Sequence, residues 1–158
     1  SGGSTIFFSG RVKNVVSVEH DCNWYKEVSS VLNKKNILNC EYYLFAPERI
    51  TGEAPEYSDK SYTSTAIKGF SFEKYVKSIE KYPDKSFDLV SIDGRARVPC
   101  VSHAIKKVRP GGYLLLDNAD RKIYRQALLL LSGHKETRFS GIGPYNLHCW
   151  RTSIWKII

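Results

Sequence analysis

Three acidic residues follow short apolar runs: Glu19 after Val15-Val16-Ser17-Val18, Asp93 after the run over 87–92, and Asp117 after Tyr113-Leu114-Leu115-Leu116. If each run is a buried strand, the three carboxylates point into one crevice beyond the carboxyl ends of an open sheet, where such sheets bind their ligands. Arg95 and Arg97 stand directly after the second run. They suit two roles equally: gripping an anionic ligand with a planar fork of donors, or pairing with the neighbouring acids. Arg121 and Arg125 read more simply as solvated surface. The opening Ser1-Gly2-Gly3-Ser4-Thr5 precedes a predicted short helix over 5–9. Glycines there let backbone approach a ligand, and a helix N-terminus offers N–H donors, although the same residues equally suit an ordinary chain terminus. His20, His103, His134 and His148 show no nucleophile or metal spacing; His103 falls in a predicted helix and reads as structural.

The elements that must position these residues alternate. Strands are predicted over 15–18, 37–45, 87–92 and 113–116, and helices over 23–35, 70–82, 98–108 and 122–131, from apolar residues at helical or strand spacing. Pro110-Gly111-Gly112 is expected to break the chain between a helix and its strand. Strands over 135–139 and 148–157 follow with no helix between them, which predicts an antiparallel hairpin. The stretch 48–68 has no apolar period and reads as a long loop or insertion, a candidate lid. Alternating strands and helices imply a largely parallel α/β sheet with right-handed crossovers.

The totals bound the answer. A chain of 158 residues, 42% hydrophobic and 13% aromatic, is one globular domain. No apolar run approaches the roughly 20 residues of a membrane span, and no leader peptide is evident. Four scattered cysteines predict reduced, mostly buried thiols and, with the absence of a leader, a cytoplasmic location. The net charge of +8 is read chiefly as a solvated lysine-rich surface, with attraction to nucleic acid left open. The sequence has no methionine and opens abruptly, which suggests a start further upstream.

Taken in order, Gly2-Gly3-Ser4-Thr5 with its helix, the run 15–18 closed by Glu19-His20-Asp21, Phe87-Asp88-Leu89-Val90-Ser91-Ile92-Asp93-Gly94, and Val108-Arg109-Pro110-Gly111-Gly112 leading into Tyr113-Leu114-Leu115-Leu116 resemble the class I S-adenosylmethionine-dependent methyltransferases. The resemblance spans nearly the whole sequence outside 48–68. It implies a Rossmann-like fold: a doubly wound, mostly parallel sheet ending in the antiparallel hairpin. In that family the acid after the second strand binds the ribose hydroxyls, a role suited to a carboxylate with two accepting oxygens, and Glu19 matches it. The implied cofactor set is Gly2, Gly3, Ser4, Glu19, His20 and Asp93. His20 and Asp93 are the candidate bases in methyl transfer to an oxygen or nitrogen. Trp24 lies near but is expected to pack in the core.

Asp93, Asp117 and Asn118 also stand where catechol-type relatives hold a divalent cation, which would make Mg²⁺ a second cofactor. The competing reading pairs Asp93 with Arg95 or Arg97 and has Asp117-Asn118 cap the next helix. The family's sheet has an apolar first strand before the glycine turn. This sequence starts at the turn, so a single domain over 1–158 lacking that strand is expected, with weak S-adenosylmethionine binding. A small-molecule acceptor is the leading partner. The alternatives are a nucleotide-binding oxidoreductase on the same kind of sheet and a non-catalytic nucleic-acid-binding module.

Overall fold

The computed structural model describes residues 2–53, 55–142 and 149–158. Helix α1 (Gly2–Ser9) leads into strand β1 (Val15–Glu19), helix α2 (Cys22–Lys34) and strand β2 (Cys40–Leu44), which pairs parallel to β1 with Val15 opposite Cys40. Asp21 starts α2: its carboxylate accepts the amides of Asn23 and Trp24, both at 2.9 Å. The helix buries Val28 and Leu32, four residues apart on one face.

The second half builds a larger sheet. Strands β5 (Phe87–Ile92) and β6 (Val108–Leu116) run parallel, joined through helix α4 (Arg97–Ala104). Helix α5 (Arg125–Leu130) leads to the hairpin of β7 (Lys135–Ile142) and β8 (Cys149–Lys156). The strand order is β5-β6-β8-β7, with β8 antiparallel to both its neighbours. The main core lies here: Val98 and Val101 of α4, Leu114 and Leu116 of β6, Leu131 and Trp155 are at most 3% exposed.

The expected α/β alternation and C-terminal hairpin are present. The sheet is mixed: β1–β2 and β5–β6 run parallel, and the antiparallel pairs are those of β8 with β6 and β7, the expected hairpin strands. Among the described residues β1 pairs only with β2 and β5 only with β6, so these strands stand in two separate sheets. The predicted strand over 148–157 begins within the described part at Cys149, and Gly143, Pro144 and His148 lie outside the described residues.

The helix expected over 70–82 is shorter. Strand β4 (Phe70–Ser71) pairs with β3 (Glu48–Arg49), leaving only α3 (Glu73–Lys77) and a 3-10 turn over Ser78–Lys81. The insertion between β3 and β4 is pinned to the fold. Tyr57 Oη accepts the Val98 amide at 3.4 Å, and the Phe72 amide donates to the Tyr62 carbonyl at 2.7 Å. The Tyr62 hydroxyl meets His103 Nε2 at 3.2 Å while His103 Nδ1 meets Glu80 at 2.7 Å, the structural role expected of His103.

Pro110-Gly111-Gly112 does not break the chain; it lies inside β6, where the register with β5 shifts. Gly111 takes φ +81°, and its amide donates to the Ile157 carbonyl at 2.7 Å. At Gly112 a Cβ would lie 2.8 Å from the Asp88 carbonyl oxygen and 2.9 Å from that of Arg109, both fixed backbone atoms. Gly112→Ala should therefore cost about 1–3 kcal/mol of stability as an overpacking change. Gly133→Ala, where a Cβ meets nothing within 4 Å, should cost well under half as much. Urea unfolding of the pair checks this. Among the described residues no helix is long and apolar enough to cross a membrane.

Candidate functional site

The carboxyl ends of β1, β5 and β6 open toward α1, and two hollows meet there. The larger, about 850 Å³, is lined by residues of β1 and β5 together with Ser4, Glu19, His20, Trp24, Asp93 and Arg95. The smaller, about 420 Å³, is lined by Gly3, Ser4, Asp93, Asp117 and Thr152 among others. Ser4 and Asp93 border both, so the sequence-predicted residues Gly3, Ser4, Glu19, His20, Asp93 and Asp117 gather around one opening. Gly2 is the exception. The diglycine forms the first turn of α1 rather than a loop before it, and a Cβ on Gly2 would lie 2.3 Å from Val28 Cγ2. Its missing side chain lets α1 close on α2. A hydroxyl contact between Thr5 and Ser17, 2.7 Å, ties α1 to β1.

Glu19 is 5% exposed, yet the valines before it are only half-buried. Its Oε1 accepts the amides of His20 at 2.7 Å and Asp21 at 3.0 Å, and the imidazole Nδ1 of His20 lies 2.8 Å away. Oε2 takes part in none of these bonds. Burial alone pushes the carboxyl up; the bonds from the His20 side chain and the two amides outweigh it and hold the group at about 2, down from 4.5. Such a depressed carboxyl stabilises the fold fully above about pH 4.5, and the contribution is lost as pH falls from there through about 2. The expected loss over that window is about 3 kcal/mol, since each tenfold change in proton affinity is worth about 1.4 kcal/mol. Glu19→Gln should flatten that part of the pH profile, as read from denaturant midpoints between pH 5 and pH 2. The His20 ring packs on Phe72 and Tyr75, with centroids 5.7 and 6.1 Å away.

Arg97 organises the other side. Ala96, in the left-handed region at φ 47°, turns the chain into α4 and sets Arg97 as its first residue. The Arg97 residue is 8% exposed. Nε donates to the Gly94 carbonyl at 3.0 Å, and Nη2 to the Asp93 carbonyl at 2.9 Å and to Asp93 Oδ1 at 3.1 Å. Nη1 donates to the Asp117 carbonyl and to Asn118 Oδ1 at 3.3 Å, and sits 3.6 Å from Asp117 Oδ2. Thr152 donates to Asp117 Oδ1 at 2.6 Å. The cation among Asp93, Asp117 and Asn118 is thus a guanidinium. The metal reading of these three gives way to the ion pair, because the donors of Arg97 take the oxygens a divalent ion would need. Among the described residues no three His, Cys, Asp or Glu side chains form a metal set. Helix capping by Asp117-Asn118 is not seen either: the turn that follows begins at Arg121 without a side-chain cap. Burial raises the Asp93 carboxyl, Arg97 opposes this, and Asp117 adds to it; the net direction is up.

Three further placements differ from the sequence reading. Trp24 is 48% exposed and lines the larger hollow, where core packing is expected. It lies one turn before Val28, beyond the sheet's end. Thr152 reaches Asp117 only through the pairing of β8 with β6, so no local signal marks it. All four cysteines are free thiols, but Cys22 and Cys149 are exposed rather than buried.

No family model matches this sequence, and no curated protein matches it. Solved structures do. An rRNA methylase from Streptococcus thermophilus superposes with a TM-score of 0.62 at 12% identity, over 99% of this chain and 81% of that one. The O-methyltransferase TomG from Streptomyces achromogenes, solved with S-adenosylmethionine, gives 0.61 at 15%, over 91% and 61%. A precorrin 8w decarboxylase from Methanobacterium thermoautotrophicum gives 0.59 at 14%, over 99% and 76%. At such identities the likeness concerns architecture, and it is plain: the chain has the fold of the class I S-adenosylmethionine-dependent methyltransferases.

Proposed function

We propose that the chain is a methyltransferase domain that holds S-adenosylmethionine at the mouth shared by the two hollows and passes its methyl group to an oxygen or nitrogen of a small-molecule acceptor. The observation that carries this is Glu19: a carboxylate at the end of β1, locked by two amides and an imidazole through one oxygen, with the other oxygen outside that network. A rigid acceptor of this kind, ionised at every physiological pH, suits a pair of vicinal hydroxyls.

The residues present fit the cofactor. Oε2 of Glu19 would hold the ribose hydroxyls, Trp24 would offer an indole face to the adenine, and Gly3 and Ser4 of α1 would border the amino-acid end. Bound S-adenosylmethionine supplies an electrophilic methyl on a sulfonium. Methyl transfer is an in-line displacement, so the protein's task is largely to align the acceptor and exclude water. His20 acts by orienting Glu19. Asp93, which borders both hollows and whose carboxyl is raised by burial, would be the group to take a proton from the acceptor. Arg95, half-buried on the larger hollow and without an ion pair among the described residues, is a cation available to an acidic acceptor.

Titration with S-adenosylhomocysteine in a calorimeter tests the reading. Saturable binding, weak for this chain and accompanied by a change in tryptophan fluorescence that Trp24→Phe removes, supports it. Binding of NADH in place of S-adenosylhomocysteine would favour the oxidoreductase alternative and overturn it.

A further inference from the structure

The charge of the chain is distributed unevenly. With 24 lysines and arginines against 16 acids it carries a net +8, and much of the excess lies at the amino ends of the strands, opposite the mouth. Lys13 precedes β1, Lys34 and Lys35 close α2 ahead of β2, Lys85 precedes β5, and Lys106 precedes β6. These ends stand together. Lys13 and Ser86 line one hollow, the Lys85 amide donates to the Lys106 carbonyl at 3.0 Å, and Asn39 Nδ2 donates to the Val12 carbonyl at 3.0 Å. Strand β8 runs antiparallel to β6, so Lys156 returns toward the same end, where it stands opposite Lys135 of β7, two like charges side by side. All of these lysines are exposed, and none forms an ion pair among the described residues. The acids near them are taken: Asp84 by Lys107 at 2.7 Å, Asp88 by Arg109 at 2.5 Å, and Glu41 by the hydroxyls of Tyr43 and Tyr82. At the mouth, by contrast, the carboxylates of Glu19, Asp93 and Asp117 offset the arginines.

We propose that this end of the molecule docks on the surface of a bilayer rich in anionic lipid, with the mouth turned away toward the solvent. Unpaired lysines are attracted to such a leaflet, each worth about fivefold in partitioning. A polybasic patch holds more firmly when an apolar contact adds a second anchor. Leu38 supplies that contact. It is 86% exposed on the turn between α2 and β2, and Val12, 43% exposed, stands on the neighbouring turn that Asn39 ties to it. Lys13, Lys34 and Lys35 flank the two in the chain. An aliphatic tip among lysines suits the headgroup layer: the tip enters the acyl boundary while the ammonium groups stay with the phosphates. Nucleic acid fits less well. Single strands are held on open aromatic faces, and the aromatic ring near this corner, Phe7, is covered by the Arg11 guanidinium 3.8 Å from its centroid. A base held here would also lie at the far end of the strands from Asp93. The proposal goes beyond the methyltransferase reading and stands without it.

Co-sedimentation of the full chain with sucrose-loaded vesicles tests it. At about 0.1 M salt the protein should pellet with phosphatidylcholine vesicles containing about one-third phosphatidylglycerol, and stay in solution with phosphatidylcholine alone. At about 1 M salt, where the screening length falls to about 3 Å, binding should disappear. Lys13→Gln, Lys34→Gln and Lys35→Gln together should weaken binding by about tenfold or more. Removing the same charge at the other end, by Arg121→Gln, Lys122→Gln and Arg125→Gln, should change it by less than about threefold. Leu38→Ser should weaken it by about three- to tenfold, with the thermal midpoint unmoved because the side chain packs on nothing. Lipids carrying a nitroxide should broaden the amide resonances of Lys13 and Leu38 and spare those of Asp93 and Thr152. Equal losses from the two triple variants would reduce the effect to net charge and overturn the proposal, as would pelleting with neutral vesicles, no pelleting at all, or equal broadening at the mouth. A short single-stranded RNA that shifts the amides of Lys13 and Leu38 while anionic vesicles leave them untouched would put nucleic acid in place of lipid and overturn it too.

Discussion

Arg97→Met should destabilise the protein by about 3–5 kcal/mol, the usual cost of removing one partner from a buried, hydrogen-bonded charge cluster. At about 2–4 °C per kcal/mol for a chain of this size, the midpoint of thermal unfolding falls by on the order of 10 °C. The substitution keeps much of the side-chain volume, so lost packing is a small part of the effect. What goes is the fork that satisfies the carbonyls of Asp93, Gly94 and Asp117 and the side chains of Asp93 and Asn118. Arg97→Lys keeps the charge but not the planar donors, and should recover only a minor share. The pH dependence gives a sharper readout. Without the guanidinium, the Asp93 carboxyl is left with burial and Asp117, which both raise it. A carboxyl raised above its unfolded value penalises the folded state when ionised, so the deficit of the variant should shrink as pH falls through the raised value. A deficit independent of pH, or a loss below about 1 kcal/mol, would show that the cluster does not hold the ends of β5 and β6 together.

How much of this was legible in the sequence depends on the range of the interaction. The α2 cap at Asp21, the β1 run with its terminal acid and the α4 apolar face are local patterns, and they appear where the residues place them. The Asp93–Arg97 spacing of four was also visible, as one of two options. The reach of Arg97 to Asp117 was not, because it depends on the parallel pairing of β5 with β6. Pro110-Gly111-Gly112 misled for the same reason: read locally it is a breaker, yet Gly111 supplies the positive φ of an irregular strand held by Ile157, forty-six residues later. Phe70 has helical spacing but pairs with Arg49 instead, a case of tertiary contacts overriding a local period. The division of the sheet could be expected only through the family resemblance, since nothing within β1 or β5 records which strand lies on either edge.

Glu19→Gln should lower the affinity for S-adenosylhomocysteine about 10- to 100-fold while leaving the fold intact at neutral pH, in keeping with about 1.5–3 kcal/mol for a hydrogen bond to a charged group. The amide oxygen can still accept from the backbone of His20 and Asp21, as Oε1 does now. The group presented to the hollow changes from an anionic acceptor to an NH₂ donor, the wrong partner for hydroxyls that must donate. Glu19→Ala removes both functions; it should lose at least as much affinity and also cost stability, because two amides at the start of α2 lose their acceptor. The comparison separates binding from folding. If Gln and Ala weaken the ligand equally although Ala unfolds more easily than Gln, the second oxygen is the ligand's partner. If Gln binds as tightly as Glu, the carboxylate serves only to fix the turn between β1 and α2, and the ribose contact must lie elsewhere.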